Sequence, residues 1–349
     1  KQMGFKRLEA DDFVVSAQAQ TNTCWSGNAP SLGLTSMFTQ SNQINGQSGV
    51  YYTTVFNTQS GAPDFEAQFE IAYGNSTGGG ALAFNQVAAP NVSPASTIYG
   101  QYRTLVLEDE NAQFVFGEVS QSSIYVLSIE RARYKQSLFP GSLNLTLSGS
   151  VTGNPNQTLQ LTDNSKMVIV PTYYGTTRAY QVISGSDGIA YNSGSGGLGY
   201  TTTAGSYGLF LPDIGTVILN GAALDLDSAE GINLGTNDSL NTSGANPLRL
   251  LGPMQSGSDF ALNSEETITS DFVFVRARNS EFNYSENPSY ISGSTGEVIY
   301  NYFINNPQTY LTTVGMYNDA NELLAVAKLS KPLNKDFTKE ALIRVKLDF

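Results

Sequence analysis

Three carboxylates at close spacing, in Asp225-Leu226-Asp227-Ser228-Ala229-Glu230-Gly231, are the residues best placed to do chemistry. Oxygens at Asp225, Asp227 and Glu230 could converge on one hard cation such as calcium. The spacing departs from the EF-hand loop at Ala229 and Glu230, so a solvated turn competes with the metal reading. Glu108-Asp109-Glu110 and Glu265-Glu266 offer adjacent carboxylates. A glycosidase needs such a pair about 5 to 10 Å apart across a sugar, and adjacency in sequence does not supply that geometry. Gly194-Ser195-Gly196-Gly197-Leu198-Gly199 is glycine-rich, but it does not join a strand to a helix as a dinucleotide loop does, and it reads as a flexible loop. Seven Asn-x-Ser/Thr triplets, among them Asn75, Asn144 and Asn283, match the glycosylation pattern in a composition that yields such triplets by chance.

What is missing narrows the chemistry further. The chain has no histidine, which removes the commonest general base, the commonest metal ligand and every Ser-His-Asp or Cys-His triad. Cys24, the single cysteine, forms no internal disulfide or zinc cluster. Beside Trp25 it would need a Lys, an Arg or a helix end to activate it, and it reads as buried or incidental. The expectation is therefore no catalytic residue, no cofactor and no metal.

These residues sit in a chain of 349, long enough for two or three domains at about 150 residues each. Lys plus Arg number 18 against 30 Asp plus Glu, and the resulting charge of −12 repels nucleic acid. Only 14% of residues are charged, whereas Tyr and Phe contribute 19 and 18, a balance that favours β structure with Gly/Asn turns over helix. No apolar run approaches the roughly 18 residues of a membrane helix. Lys1 to Glu9 has no signal-peptide core, which leaves a removed signal open.

Residues 1–50 read as an N-terminal arm with polar loops. A β-rich domain is expected over 51–175, with strands at Tyr51 to Phe56 and Phe65 to Tyr73 and a short strand at Ala81 to Phe84 closing a hairpin. The same domain holds a helix near 94–107 with Ser93 as its cap and Pro94 at its first position, stopping at Glu108-Asp109-Glu110. Further short strands follow at Phe114 to Phe116, Ile124 to Ile129, Leu143 to Leu147, Leu159 to Leu161 and Met167 to Val170. Residues 176–260 read as an inserted Gly/Ser/Asn-rich β domain around the apolar stretch Leu209 to Leu224. Residues 261–349 read as a C-terminal β domain, with strands at Asp271 to Arg278, Val298 to Ile304, Thr312 to Tyr317, Leu323 to Leu329 and Ala341 to Phe349. That last strand either completes the core or pairs between subunits. The fold class is mainly β: antiparallel sandwich or barrel-like domains with one or two short helices and an extended arm.

Phe5-Lys6-Arg7-Leu8-Glu9-Ala10-Asp11-Asp12-Phe13-Val14-Val15, Ile98-Tyr99-Gly100-Gln101-Tyr102-Arg103, Glu130-Arg131-Ala132-Arg133-Tyr134-Lys135 and Asn279-Ser280-Glu281-Phe282-Asn283-Tyr284-Ser285 resemble virion structural proteins of contractile-tailed phages of the T4-like marine and cyanobacterial kind. So do Thr313 to Asp319, Leu323 to Pro332 and the ending Arg344 to Phe349, while residues 175–260 match nothing in that family. The resemblance implies a non-enzymatic tail or baseplate subunit found in the virion and assembled in the host cytoplasm. Its partners would be other copies of itself and other tail proteins, with the host surface open through the loops. No nucleic acid or membrane partner is expected. Three alternatives stand beside it. The alternation of Ala341, Ile343, Val345, Leu347 and Phe349 fits the last strand of an outer-membrane β-barrel porin. A receptor-binding adhesin would use the loops at 185–205 and 233–246. A glycan-cleaving tail enzyme would need a carboxylate pair.

Overall fold

The computed structural model describes residues 6–32, 38–42, 52–58, 60–191, 197–285 and 287–348. The protein is mainly β, 42% strand against 15% helix, with antiparallel sheets that include a curled half-barrel. It divides into two units, one of Gln20–Glu266 and one of Lys1–Ala19 with Thr267–Phe349.

The first unit is organised by a twelve-stranded sheet. Along its main path the strands run Asp259–Ala261, Asn144–Val151, Asn154–Asp163, Thr177–Ser186, Gly208–Leu211, Thr216–Asn220, Ser123–Ile129, Ala67–Asn75, Tyr52–Phe56 and Phe38–Asn42. Residues 176–260 thus contribute three central strands to the same sheet as 67–75 and 123–129, and the apolar stretch at Leu209 to Leu224 lies in its middle. Side chains alternate across the sheet, and both of its faces are covered. Tyr125, Leu127, Val217, Leu219 and Phe210 join one buried cluster with Leu250, Leu251 and Met254 of the helix Asn246–Gly257. Ile124, Val126, Ile218, Leu209 and Leu211 join a second with Tyr99 and Val106 of the helix Pro94–Leu107. A strand buried on both faces has no polar side to show, and this is why Ile124 to Ile129 reads as a nearly continuous apolar run.

The helix Pro94–Leu107 forms as its sequence dictates. The Ser93 hydroxyl accepts the Ser96 N–H, Pro94 has no N–H to lose, and Glu108 ends the helix in the left-handed region at φ 57°. Gly74 lets the helix approach the sheet, because a Cβ there would stand 2.9 Å from the Tyr99 nitrogen.

Two expected strands are turns. Ala81 to Phe84 has no ladder partner; Gly80 N–H donates to Ser239 O and Ala83 N–H to the Asn241 side chain, so its backbone is engaged by a loop. Met167 to Val170 turns back after the strand Asn154–Asp163, with Met167 and Val168 N–H both donating to Asn164 O, and Ile169 is fully exposed.

In the second unit Ala341–Asp348 pairs antiparallel with Asn263–Ala277 of the same chain, Val345 opposite Val273 and Ala341 opposite Ala277. On the other side of Asn263–Ala277 lies Phe13–Thr23, exposed along almost its whole length. Val298 to Ile304, expected as a strand, forms instead the short helix Asn301–Asn305, with Tyr300 O accepting the N–H groups of Phe303 and Ile304 and Phe303 as its one buried side chain. A separate two-stranded ribbon joins Thr309–Tyr317 to Leu323–Lys335 through the turn at Asn318-Asp319-Ala320-Asn321.

Candidate interaction surface

Each acidic residue of the candidate cation loop is engaged separately. Asp225 Oδ1 accepts both the N–H and the hydroxyl of Thr236, at 2.9 and 2.8 Å. Asp227 takes the same pair from Thr152 at 2.5 and 2.6 Å, and Glu230 from Thr202 at 3.0 and 2.8 Å. The three carboxylates latch three different segments rather than converging, and no cluster of three metal-ligating residues occurs among the described residues. Burial raises the Asp225 carboxyl above its ordinary value, while the Thr152 hydroxyl lowers that of Asp227.

The other acidic candidates do not form a pair either. Glu108, Asp109 and Glu110 are exposed at the helix end. Glu265 and Glu266 are neighbours on the strand Asn263–Ala277, so their side chains leave opposite faces. Of the glycine-rich loop Gly194 to Gly199, residues 194–196 lie outside the described residues. Asn75 is buried and holds the N–H and hydroxyl of Thr77, and Asn283 is buried against Lys335, so neither amide is presented to a glycosylating enzyme. Cys24 is buried beside Trp25, whose indole N–H donates to Phe260 O at 2.6 Å and whose ring packs tilted against that of Phe260 with centres 4.8 Å apart.

Of the two loop regions considered for a receptor, 233–246 is tied down. Gly244 N–H donates to Gly80 O, Asn241 Nδ2 to Gln86 O, and Asn237 and Asn246 bond one another.

The surface with unmet interactions is the ribbon. A two-stranded ribbon is at best marginal in water, and this one pairs with no third strand among the described residues. Residues opposite one another share a face. Val314 with Ala327 and Met316 with Ala325 are adjacent apolar pairs on one face; Thr313 with Lys328 and Gly315 with Val326 lie on the other. Tyr310, Tyr317, Leu323, Leu324, Val326 and Leu333 are exposed.

The two edges differ in kind. The strand Leu323–Lys335 carries Lys328, Lys331 and Pro332, devices that discourage a further strand, and its register slips between Leu333 and Lys328, where Pro332 has no N–H to offer. The strand Thr309–Tyr317 has neither charge nor proline. Sequence reading placed strands here but gave no sign that they stand apart from the sheets. Lys335 was also unmarked. It is fully buried, and its ammonium donates to Asn283 Oδ1 at 2.7 Å, Asp336 O at 3.0 Å and Asn279 O at 3.1 Å, a complete set of three acceptors at the base of the ribbon.

No family model, no curated protein and no solved structure matches the chain.

Proposed function

We propose that the protein is a non-enzymatic structural subunit of a contractile phage tail, a baseplate component that works through homo- and hetero-oligomeric assembly in the virion after synthesis in the host cytoplasm. The observation that carries this reading is the ribbon Thr309–Tyr317 with Leu323–Lys335: two strands, exposed apolar side chains, one edge guarded by Lys and Pro and the other unguarded. Such an edge accepts a strand from a neighbour by main-chain hydrogen bonding, and a second copy or another tail subunit supplies it. The resemblance at both ends of the chain supports the same reading. It is favoured over a porin because the large sheet follows an open path with helices over both faces, whereas a barrel closes and turns one face to lipid. It is favoured over a glycan-cleaving enzyme because the acidic candidates lie apart or serve as latches.

The test is mass spectrometry of purified particles dissociated stepwise into heads, tails and isolated baseplates, with a Val314→Pro variant alongside. Enrichment in baseplates at several copies per tail, lost in the variant, is the expected result. Absence from particles overturns the proposal, and recovery in detergent-extracted outer membranes replaces it with the porin.

A further inference from the structure

The second unit contains a half-open cavity of about 750 Å³ lined by aromatic rings with uncharged polar groups beside them. Phe303, held inward by the short helix Asn301–Asn305, is the anchor. Tyr290 packs on it with ring centres 5.5 Å apart, and Tyr284 stands edge-on at 6.5 Å. Tyr302, one position earlier on the helix, and Tyr310, from the first strand of the ribbon, complete the rim and are each 62% exposed. The polar groups among the lining are amides and hydroxyls, chiefly Asn306 and Gln308, and none of the described lining residues carries a charge.

From this we infer that the cavity is a binding site for a neutral oligosaccharide. The volume falls within the range of about 300 to 1,000 Å³ typical of small-ligand sites. Exposed tyrosine rings present flat apolar faces that match the C–H faces of pyranose rings, and their hydroxyls give each ring a polar end. An amide offers both a donor and an acceptor, which suits neighbouring sugar hydroxyls better than a carboxylate or an ammonium does. Without charge among the described lining residues, an anionic or cationic ligand would lose its hydration with none of them to replace it. Tyr302 is braced by the Tyr300 ring, with centres 5.3 Å apart, and a braced ring loses little side-chain freedom on binding. The cavity shares Thr309, Tyr310 and Leu311 with the unguarded strand of the ribbon, so the two proposals are told apart by their readouts, sugar binding by the protein in solution for this one and incorporation into particles for the other.

The test is calorimetric titration of the full-length protein with linear tetrasaccharides of glucose, galactose and N-acetylglucosamine. A sulfated tetrasaccharide and a proline-rich decapeptide serve as competing classes. Saturable binding of at least one neutral sugar, weakened about tenfold or more by Tyr302→Ala and by Tyr310→Ala, is the expected result. Both side chains are largely in solvent, so an unchanged melting temperature is expected in each variant; Asn306→Ala, also at an exposed position, provides a third variant should either tyrosine change disturb the fold. No saturation by any neutral sugar up to about 10 mM overturns the inference, as does binding that all three variants leave intact. Preference for the sulfated sugar or for the decapeptide overturns it as well.

Discussion

Lys335 donates to the Asn283 side-chain oxygen at 2.7 Å in a site where both residues are buried, and no carboxylate takes part. The ammonium is satisfied by that amide and two backbone carbonyls, Asn279 and Asp336. This ties the end of the ribbon to the segment that follows the strand Asn263–Ala277, so the edge proposed for assembly is held from its base rather than hanging from a loop.

The arrangement predicts an order of costs. Asn283→Leu leaves a buried charge short of an acceptor and should destabilise the protein by about 2–4 kcal/mol. Lys335→Met removes the charge itself and leaves only neutral oxygens unsatisfied, about 1–3 kcal/mol. Urea unfolding of the two variants checks the order; a costlier Lys335→Met would mean that the lysine stem, not the hydrogen-bonded charge, holds the ribbon.

The carboxylate–threonine latches predict indifference to calcium. Asp225, Asp227 and Glu230 hold Thr236, Thr152 and Thr202. Melting temperatures in millimolar calcium and in EDTA should coincide. Thr236→Val, by contrast, strips a hydroxyl that serves both Asp225 and Tyr125, at 2.8 Å each, and should cost about 1–3 kcal/mol. A calcium-dependent rise in melting temperature would show that the carboxylates can leave their threonines and gather on an ion.

What the sequence discloses follows from how far each signal reaches. The helix Pro94–Leu107 is written locally: its cap and first-turn proline are adjacent, its stop directly follows its last turn, and the structure places each where the pattern does. The central strands are legible because burial on both faces leaves only apolar choices. Met167 to Val170 and Val298 to Ile304 mislead for the opposite reason, since β-branched and aromatic residues are in the one case exposed on a turn and in the other wound into a helical turn around Phe303. The latches could not be foreseen, because Asp227 and Thr152 are 75 residues apart and their meeting depends on the whole sheet. The aromatic cavity is likewise assembled from Tyr284, Tyr290, Tyr302 and Tyr310, none of which has a local motif.

Cys24 gives a direct readout of core integrity. Burial pushes its thiol up to about 12, with Arg133 pulling weakly the other way. At pH 8 the native protein should therefore react with iodoacetamide about a thousandfold more slowly than the denatured chain, whose thiol has an ordinary pKa of about 8.5. Labelling followed by intact mass, with the fluorescence of the lone Trp25 recorded in parallel, checks this; rapid modification of folded protein would mean that the segment around Cys24 opens independently.

Two aspartates should move stability in opposite directions with pH. Hydrogen bonds from the Thr338 hydroxyl and then its N–H hold the Asp336 carboxyl down at about 2, below the ordinary 3.8. Its folded pKa lies under its unfolded one, so its stabilising contribution is complete above 3.8 and is lost as pH falls toward 2. Asp163 is the reverse case: burial raises its carboxyl despite hydrogen bonds from Ser165 and the Gly141 N–H. The native state therefore favours the proton more than the unfolded chain does, and stability is given up as pH rises from 3.8 through the raised value. Urea midpoints measured between about pH 2 and 6 separate the two. Thr338→Val should flatten the acid limb, and Asp163→Asn should gain on the wild type as pH rises. An Asp163→Asn curve parallel to that of the wild type would show that the hydrogen bonds fully offset burial at this carboxyl.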